Sequence, residues 1–229
     1  MAQSSKTIDV YLEIGDKRTF AGAIDWPGWC RIGRDEESAL QALVDSGPRY
    51  ADVLHAAKIA FQAPADLSAL VVVERLEGNT TTNFGAPDIA PSSDAQPIDD
   101  AELKRFQKLL KAYWKAFDAT CAAASGKELR KGPRGGGRDL EAIIRHVLGA
   151  EGGYLGALAW KRPKEKAADL DEELGLTRKA VLEALAAAAR GETPKRGPRG
   201  GKIWAPRYFV RRLGWHVLDH LWEIEDRVM

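Results

Sequence analysis

Residues 206–228 read PRYFVRRLGWHVLDHLWEIEDRV, and the spacing within this stretch decides the fold of the C-terminal half. Proline suits the first helical position, and the apolar residues that follow recur at helical intervals, so a helix is expected from about Pro206 to Val228. At 100° per residue, Phe209, Leu213, His216, His220 and Ile224 fall in one arc about 80° wide. Both histidines then point at a packed interior or its mouth. An i,i+4 pair on one helix face stands about 6 Å apart, close enough to share one ion.

Working backwards, the helical period continues to residue 99. Asp99-Asp-Ala-Glu102 has the form of a capping box. The helix it opens carries Leu103, Phe106, Leu110, Tyr113, Trp114 and Phe117 on one side. A second helix is expected from about Arg138 to Trp160, burying Leu140, Ile143, Ile144, Val147, Tyr154 and Leu158. A third runs from a Thr177 cap to Arg190, stopped by Gly191. Four helices of this length make a bundle. Gly132-Pro-Arg-Gly-Gly136 precedes the second helix and Gly197-Pro-Arg-Gly-Gly201 the fourth. Each is followed by His-Val-Leu, at His146 and His216. The echo suggests two related helical hairpins with their histidines meeting. The glycine-rich loops lack the GK[ST] ending of a phosphate-binding P-loop and read as turns.

Residues 78–98, rich in Gly, Pro, Ser, Asp and Thr without sustained periodicity, read as a linker. Residues 1–77 read as a small α/β sandwich domain, and residues 99–229 as the helical domain. Asp9–Ile14 and Arg18–Ile24 look like two strands joined by Gly15-Asp16-Lys17 as a hairpin. Glu36–Ala42 and Pro48–Phe61 read as helices, and Leu67–Leu76, with its β-branched run, as a buried strand. The whole chain is therefore expected to be α+β, with order β-β-α-α-β before the bundle.

A formal net charge of +1 on 229 residues argues against nucleic-acid binding through a broad basic surface. No run approaches the roughly 18 apolar residues of a membrane span, and the first residues lack a signal-peptide core. Cys30 and Cys121 lie in no metal-ligand spacing and read as free thiols in a reducing cytoplasm. The chain reads as cytoplasmic, and a homodimer is compatible with its composition.

His146, His216 and His220 are the candidate metal ligands. Three imidazoles leave open coordination positions, as metal-assisted chemistry requires. Glu223 lies close to the His216 direction and Glu151 follows His146 by five residues. Either can serve as a fourth ligand, a general base or a partner that fixes an imidazole tautomer, and a solvated helix edge explains each taken alone. Trp222–Arg227 carries three carboxylates within four residues, which reads as a charged outer face. Trp114, Tyr154 and Trp215 read as core residues that can also line an apolar pocket. His55, on its own apolar helix, reads as structural.

The stretches Gly132–Glu151 and Arg211–Glu225 resemble the DinB/YfiT-like family of metal-binding four-helix bundles over roughly residues 98–229. The resemblance implies a divalent metal, with Zn, Ni and Fe undistinguished, held by His146, His216 and His220. It also implies a metal-dependent transferase or isomerase using a low-molecular-weight thiol and an electrophile. In such an enzyme Glu151 or Glu223 can move protons as the catalytic carboxylates. The N-terminal half resembles, more faintly, the HicB-type domain, through Phe20-Ala-Gly-Ala-Ile-Asp25-Trp-Pro-Gly-Trp-Cys30 and Glu36-Glu-Ser-Ala-Leu40. The reading from a different class is a non-enzymatic interaction or regulatory protein with a structural or vestigial metal site and a partner-binding N-terminal domain.

Overall fold

A tight turn folds β1 (Ile8–Ile14) back antiparallel onto β2 (Thr19–Ala23), closed by the Gly15 N–H donating to the Arg18 carbonyl at 2.9 Å. The computed structural model describes residues 7–131, 137–164, 167–194, 196–197 and 201–229. The chain is α+β, and it divides into two units. One runs to Gln96 and includes Val210–Trp215; the other comprises Pro97–Phe209 and His216–Met229.

In the first unit the hairpin extends to a third strand, β3 (Cys30–Gly33), antiparallel to β2. Helix α1 (Glu36–Ala56) then leads to β4 (Leu70–Glu77), which pairs parallel to β1 and gives the sheet order β3-β2-β1-β4. The observed order is thus β-β-β-α-β. A four-residue strand in a Trp- and Gly-rich stretch carries too little periodicity to be read from sequence.

The two helices expected at Glu36–Ala42 and Pro48–Phe61 are one. Pro48 lies inside α1, although an interior proline costs a helix about 3 kcal/mol. Leu43, Val44, Tyr50, Val53 and Leu54 are buried on both sides of it, so continuous burial outweighs the lost backbone bond. β4 is an edge strand rather than a buried one: its residues alternate between half-buried and exposed, with Val71 41% and Val73 50% accessible.

Residues 78–96, expected as linker, belong to the first unit. Asn79 caps the short helix α2 (Thr80–Phe84), and Glu13, fully buried, gathers the Thr82 hydroxyl and the Asp88 and Ile89 amides. A polar, aperiodic segment is ordered here by hydrogen bonds to one buried carboxylate, a signal that hydrophobic periodicity does not carry.

The second unit holds α3 (Asp100–Ala124), α4 (Leu140–Ala157), α5 (Leu170–Ala189) and both ends of α6 (Pro206–Arg227). The Asp99 capping box closes as expected, Asp99 Oδ1 accepting from the Glu102 amide at 2.8 Å. α5 starts seven residues before Thr177. Its cap is Asp169, which accepts from the Glu172 amide at 2.9 Å, while Thr177 is buried mid-helix. Gly132–Gly136, and Pro198–Gly200 of the second glycine-rich loop, lie outside the described residues. No helix among the described residues is long and apolar enough to cross a membrane.

Within the first unit, Arg211 is buried and makes a two-pronged pair with buried Asp94, both contacts 2.7 Å. It also donates to the Ala23 and Ile24 carbonyls at 2.7 and 3.0 Å and lies over the Tyr11 ring. Burial opposes its charge, yet the hydrogen bond and charge of Asp94 raise its pKa overall. Removing one partner of a buried pair strands the other charge and typically costs about 3–5 kcal/mol. Asp94→Ala is therefore expected to lower stability to denaturant by that amount, measured by the shift in unfolding midpoint; a loss below about 1 kcal/mol would show the pair to be dispensable.

Candidate metal centre

His216 and His220 leave α6 one turn apart on the same face, as their spacing requires, and His146 approaches from α4. One ligating nitrogen from each lies within 4.8 Å of the others. His146 Nε2 and His216 Nε2 are 3.2 Å apart. Two nitrogens bound to one tetrahedral zinc stand about 3.3 Å apart, given bonds of roughly 2.0–2.1 Å. The donor chemistry and the closest spacing both suit a divalent ion, and the three imidazoles expected to meet do meet. His216 and His220 are buried, while His146 is half-buried.

The surroundings of His146 favour ligation. Burial lowers the pKa of His146, and the charges of Arg138 and His220 push it the same way against Glu223, which favours the neutral imidazole that an ion requires. His220 Nδ1 lies 2.7 Å from Glu223 Oε2. With the proton on Nδ1, the Nε2 lone pair of His220 is available to an ion, the arrangement that orients ligating histidines generally. The hydrogen bond from His220 lowers the pKa of Glu223 more than burial raises it, and Arg227 adds to the effect.

Arg227, which the sequence places only at the end of a charged outer face, braces this carboxylate. It binds Glu223 through Nη1 and reaches the Arg130 and Arg138 carbonyls through Nε and Nη2 at 2.9 and 2.8 Å. The i,i+4 spacing of Glu223 and Arg227 was the available signal. It is hidden among Glu225 and Asp226, which are exposed as a charged outer face should be. Tyr154 packs edge-on to His216 at 5.9 Å between ring centroids.

The other aromatic candidates go elsewhere. Trp215 packs against Phe20 in the first unit. Trp114 donates to Glu151 Oε1 at 2.6 Å. Glu151 thus turns toward α3 and α5, where Arg178 Nε stands 3.8 Å from its second oxygen. Five residues from His146 amount to about 140° around a helix, which is why Glu151 does not join the cluster. His55 bonds the Phe61 carbonyl at 2.8 Å. Both cysteines are free, and burial pushes each thiol up to about 12, so neither is a thiolate at neutral pH. No family model, curated protein or solved structure matches the chain.

Burial raises the pKa of Glu151 to about 7, against the charge of Arg178 and the hydrogen bond from Trp114. The folded state then binds this proton more tightly than the unfolded one. The associated stability is present at acid pH and is lost as pH rises through about 7, by up to about 3 kcal/mol. Glu151→Gln is expected to flatten the pH dependence of the unfolding free energy between pH 5 and 7.5 and to stabilise the protein at its upper end. Parallel profiles for the two proteins would show that Glu151 is ionised throughout.

Proposed function

We propose that the chain is a DinB-like divalent-metal protein acting as a metal-dependent transferase or isomerase on a low-molecular-weight thiol and an electrophile. The observation that carries this reading is the convergence of His146, His216 and His220 with His220 braced by Glu223. Neutral imidazoles leave a bound divalent ion its full charge, which would lower the pKa of a thiol at an open coordination position.

The residues of the chain support such a role in distinct ways. His146, His216 and His220 would hold the ion. Glu223 fixes the tautomer of His220 and, touching the cluster as it does, is the better placed of the two carboxylates to hold a proton beside it. Glu151 can carry a proton near neutral pH, but its partners are Trp114 and Arg178, so its contribution is to packing and charge in the helical interior. Because Cys30 and Cys121 stay protonated, the nucleophilic sulfur is assigned to the substrate.

A reading as an interaction protein draws on one observation, the edge strand β4 with Val71 and Val73 exposed. Such an edge offers unpaired backbone groups to another strand. The two readings separate on metal-dependent turnover, since the second leaves any metal structural.

Protein purified without a histidine tag is expected to bind about one Zn, Ni or Fe ion per chain, and His216→Ala to bind none; calorimetry and elemental analysis check both. Glu223→Gln should weaken metal binding roughly 10–100-fold while leaving the three ligands in place. Metal-loaded wild type should consume thiol in the presence of a general electrophile, and His146→Ala should not. Equal turnover in both, or stoichiometric metal in His216→Ala, would overturn the proposal.

A further inference from the structure

Helix α4 carries Gly149, Gly152, Gly153 and Gly156, and each interior glycine destabilises a helix by about 1 kcal/mol relative to alanine. The surroundings of these glycines differ along the helix. At Gly152 the reason is internal, because a Cβ there would stand 2.9 Å from Nε and Cζ of Arg162. The guanidinium lies along the helix and donates from Nη2 to the Gly149 carbonyl at 3.1 Å. At Gly149, as at Gly156, a Cβ would meet nothing within 4 Å.

Gly149 instead lines a cavity of about 520 Å³ between α4, α5 and the segment around Arg162, with Arg145, Gly152, Glu173 and Thr177 also in its wall. Thr177 is 6% exposed, and no hydrogen bond to its hydroxyl occurs among the described residues. Arg162 spends one N–H on Gly149, and its remaining donors have no hydrogen-bond acceptor among the described residues. Arg145 is held by Glu141 at 2.8 Å and adds charge to the same wall.

We propose that this cavity binds a small organic anion through a carboxylate or phosphate group. Arg162 supplies the paired N–H donors that match a planar or tetrahedral oxyanion, and the Thr177 hydroxyl supplies a further donor. Glu173, across the cavity, accepts from a hydroxyl or ammonium on the same ligand. Gly149 keeps the floor open. Arg145 and His146 are neighbours in sequence and so diverge by about 100° around α4, which sets this cavity apart from the histidine cluster.

The test is titration of the full chain with inorganic phosphate and with malonate, against sodium chloride at equal ionic strength, read by backbone amide shifts and melting temperature. At least one of the two anions is expected to shift the amides of residues 145–153 and 173–177 saturably and to raise the melting temperature. The anion that binds identifies a phosphate or a carboxylate ligand. Arg162→Gln should weaken binding about tenfold or more, as loss of a charge-assisted hydrogen bond implies. Gly149→Leu, placed where a Cβ has room, should fold at least as stably and abolish binding. The response should survive in His216→Ala, which separates this site from the metal proposal. No saturable response to either anion, an equal response to chloride, unchanged binding in Gly149→Leu, or loss of binding in His216→Ala would each overturn the inference.

Discussion

The buried guanidinium of Arg211 is the constraint from which much of this chain follows. A charge out of water is tolerated only when its hydrogen-bonding capacity is met, and here a carboxylate and two strand-end carbonyls meet it. Asp94 must therefore be held in place. It sits in a 3₁₀ turn of a segment that is itself ordered by Glu13. A stretch with little apolar content thus folds because two buried charges, Glu13 and Arg211, need partners from it. α6 carries this demand on one side.

The same demand for partners shows in the composition of α6. An amphipathic helix buries one stripe and leaves the rest in water. In α6, however, Phe209, Val210, Leu213, Trp215, Val217, Leu218, Leu221, Trp222 and Ile224 are all buried, which encloses most of its circumference. Polar residues retained on such a helix are the informative ones. Arg211, His216 and His220 are buried and Glu223 is half-buried; each is tied to another polar group or to the imidazole cluster. In an enclosed setting such pairings are worth more than on a solvated surface, and an unmet group costs correspondingly more. The bracing of Glu223 by Arg227 extends the same logic outward to the Arg130 and Arg138 carbonyls.

The parts legible in the sequence were those with a period or a fixed offset. The hairpin, the Asp99 cap, the helical half and the triad of His146, His216 and His220 all follow from spacing. What escaped depends on contacts distant along the chain. β3 exists because Phe20 and Ile32 face each other across the pairing of β2 with β3. Pro48 is carried inside α1 because the apolar face continues past it. The cap of α5 is Asp169 rather than Thr177: aspartate is the better N-cap residue, and its side chain accepts from the Glu172 amide three residues on. Glu151 was read as a site residue from proximity in sequence, whereas the helical rotation directs it to Trp114 and Arg178.

The same rotation separates two kinds of chemistry on α4. His146 serves an imidazole cluster that suits a soft or borderline divalent ion, and burial favours its neutral form. Glu151, on another face, combines a carboxylate, a guanidinium and an indole in a setting poor in water. There the carboxyl can remain protonated near pH 7, and its second oxygen has no hydrogen-bond partner among the described residues. Such a site holds a proton more readily than a metal, since an ion would require the carboxylate in its charged form and at least two further oxygen or nitrogen ligands, whereas its neighbours are an N–H donor and a cation. The metal reading therefore belongs to the histidines alone. A carboxylate contributes to it only through Glu223, by fixing which nitrogen of His220 is free.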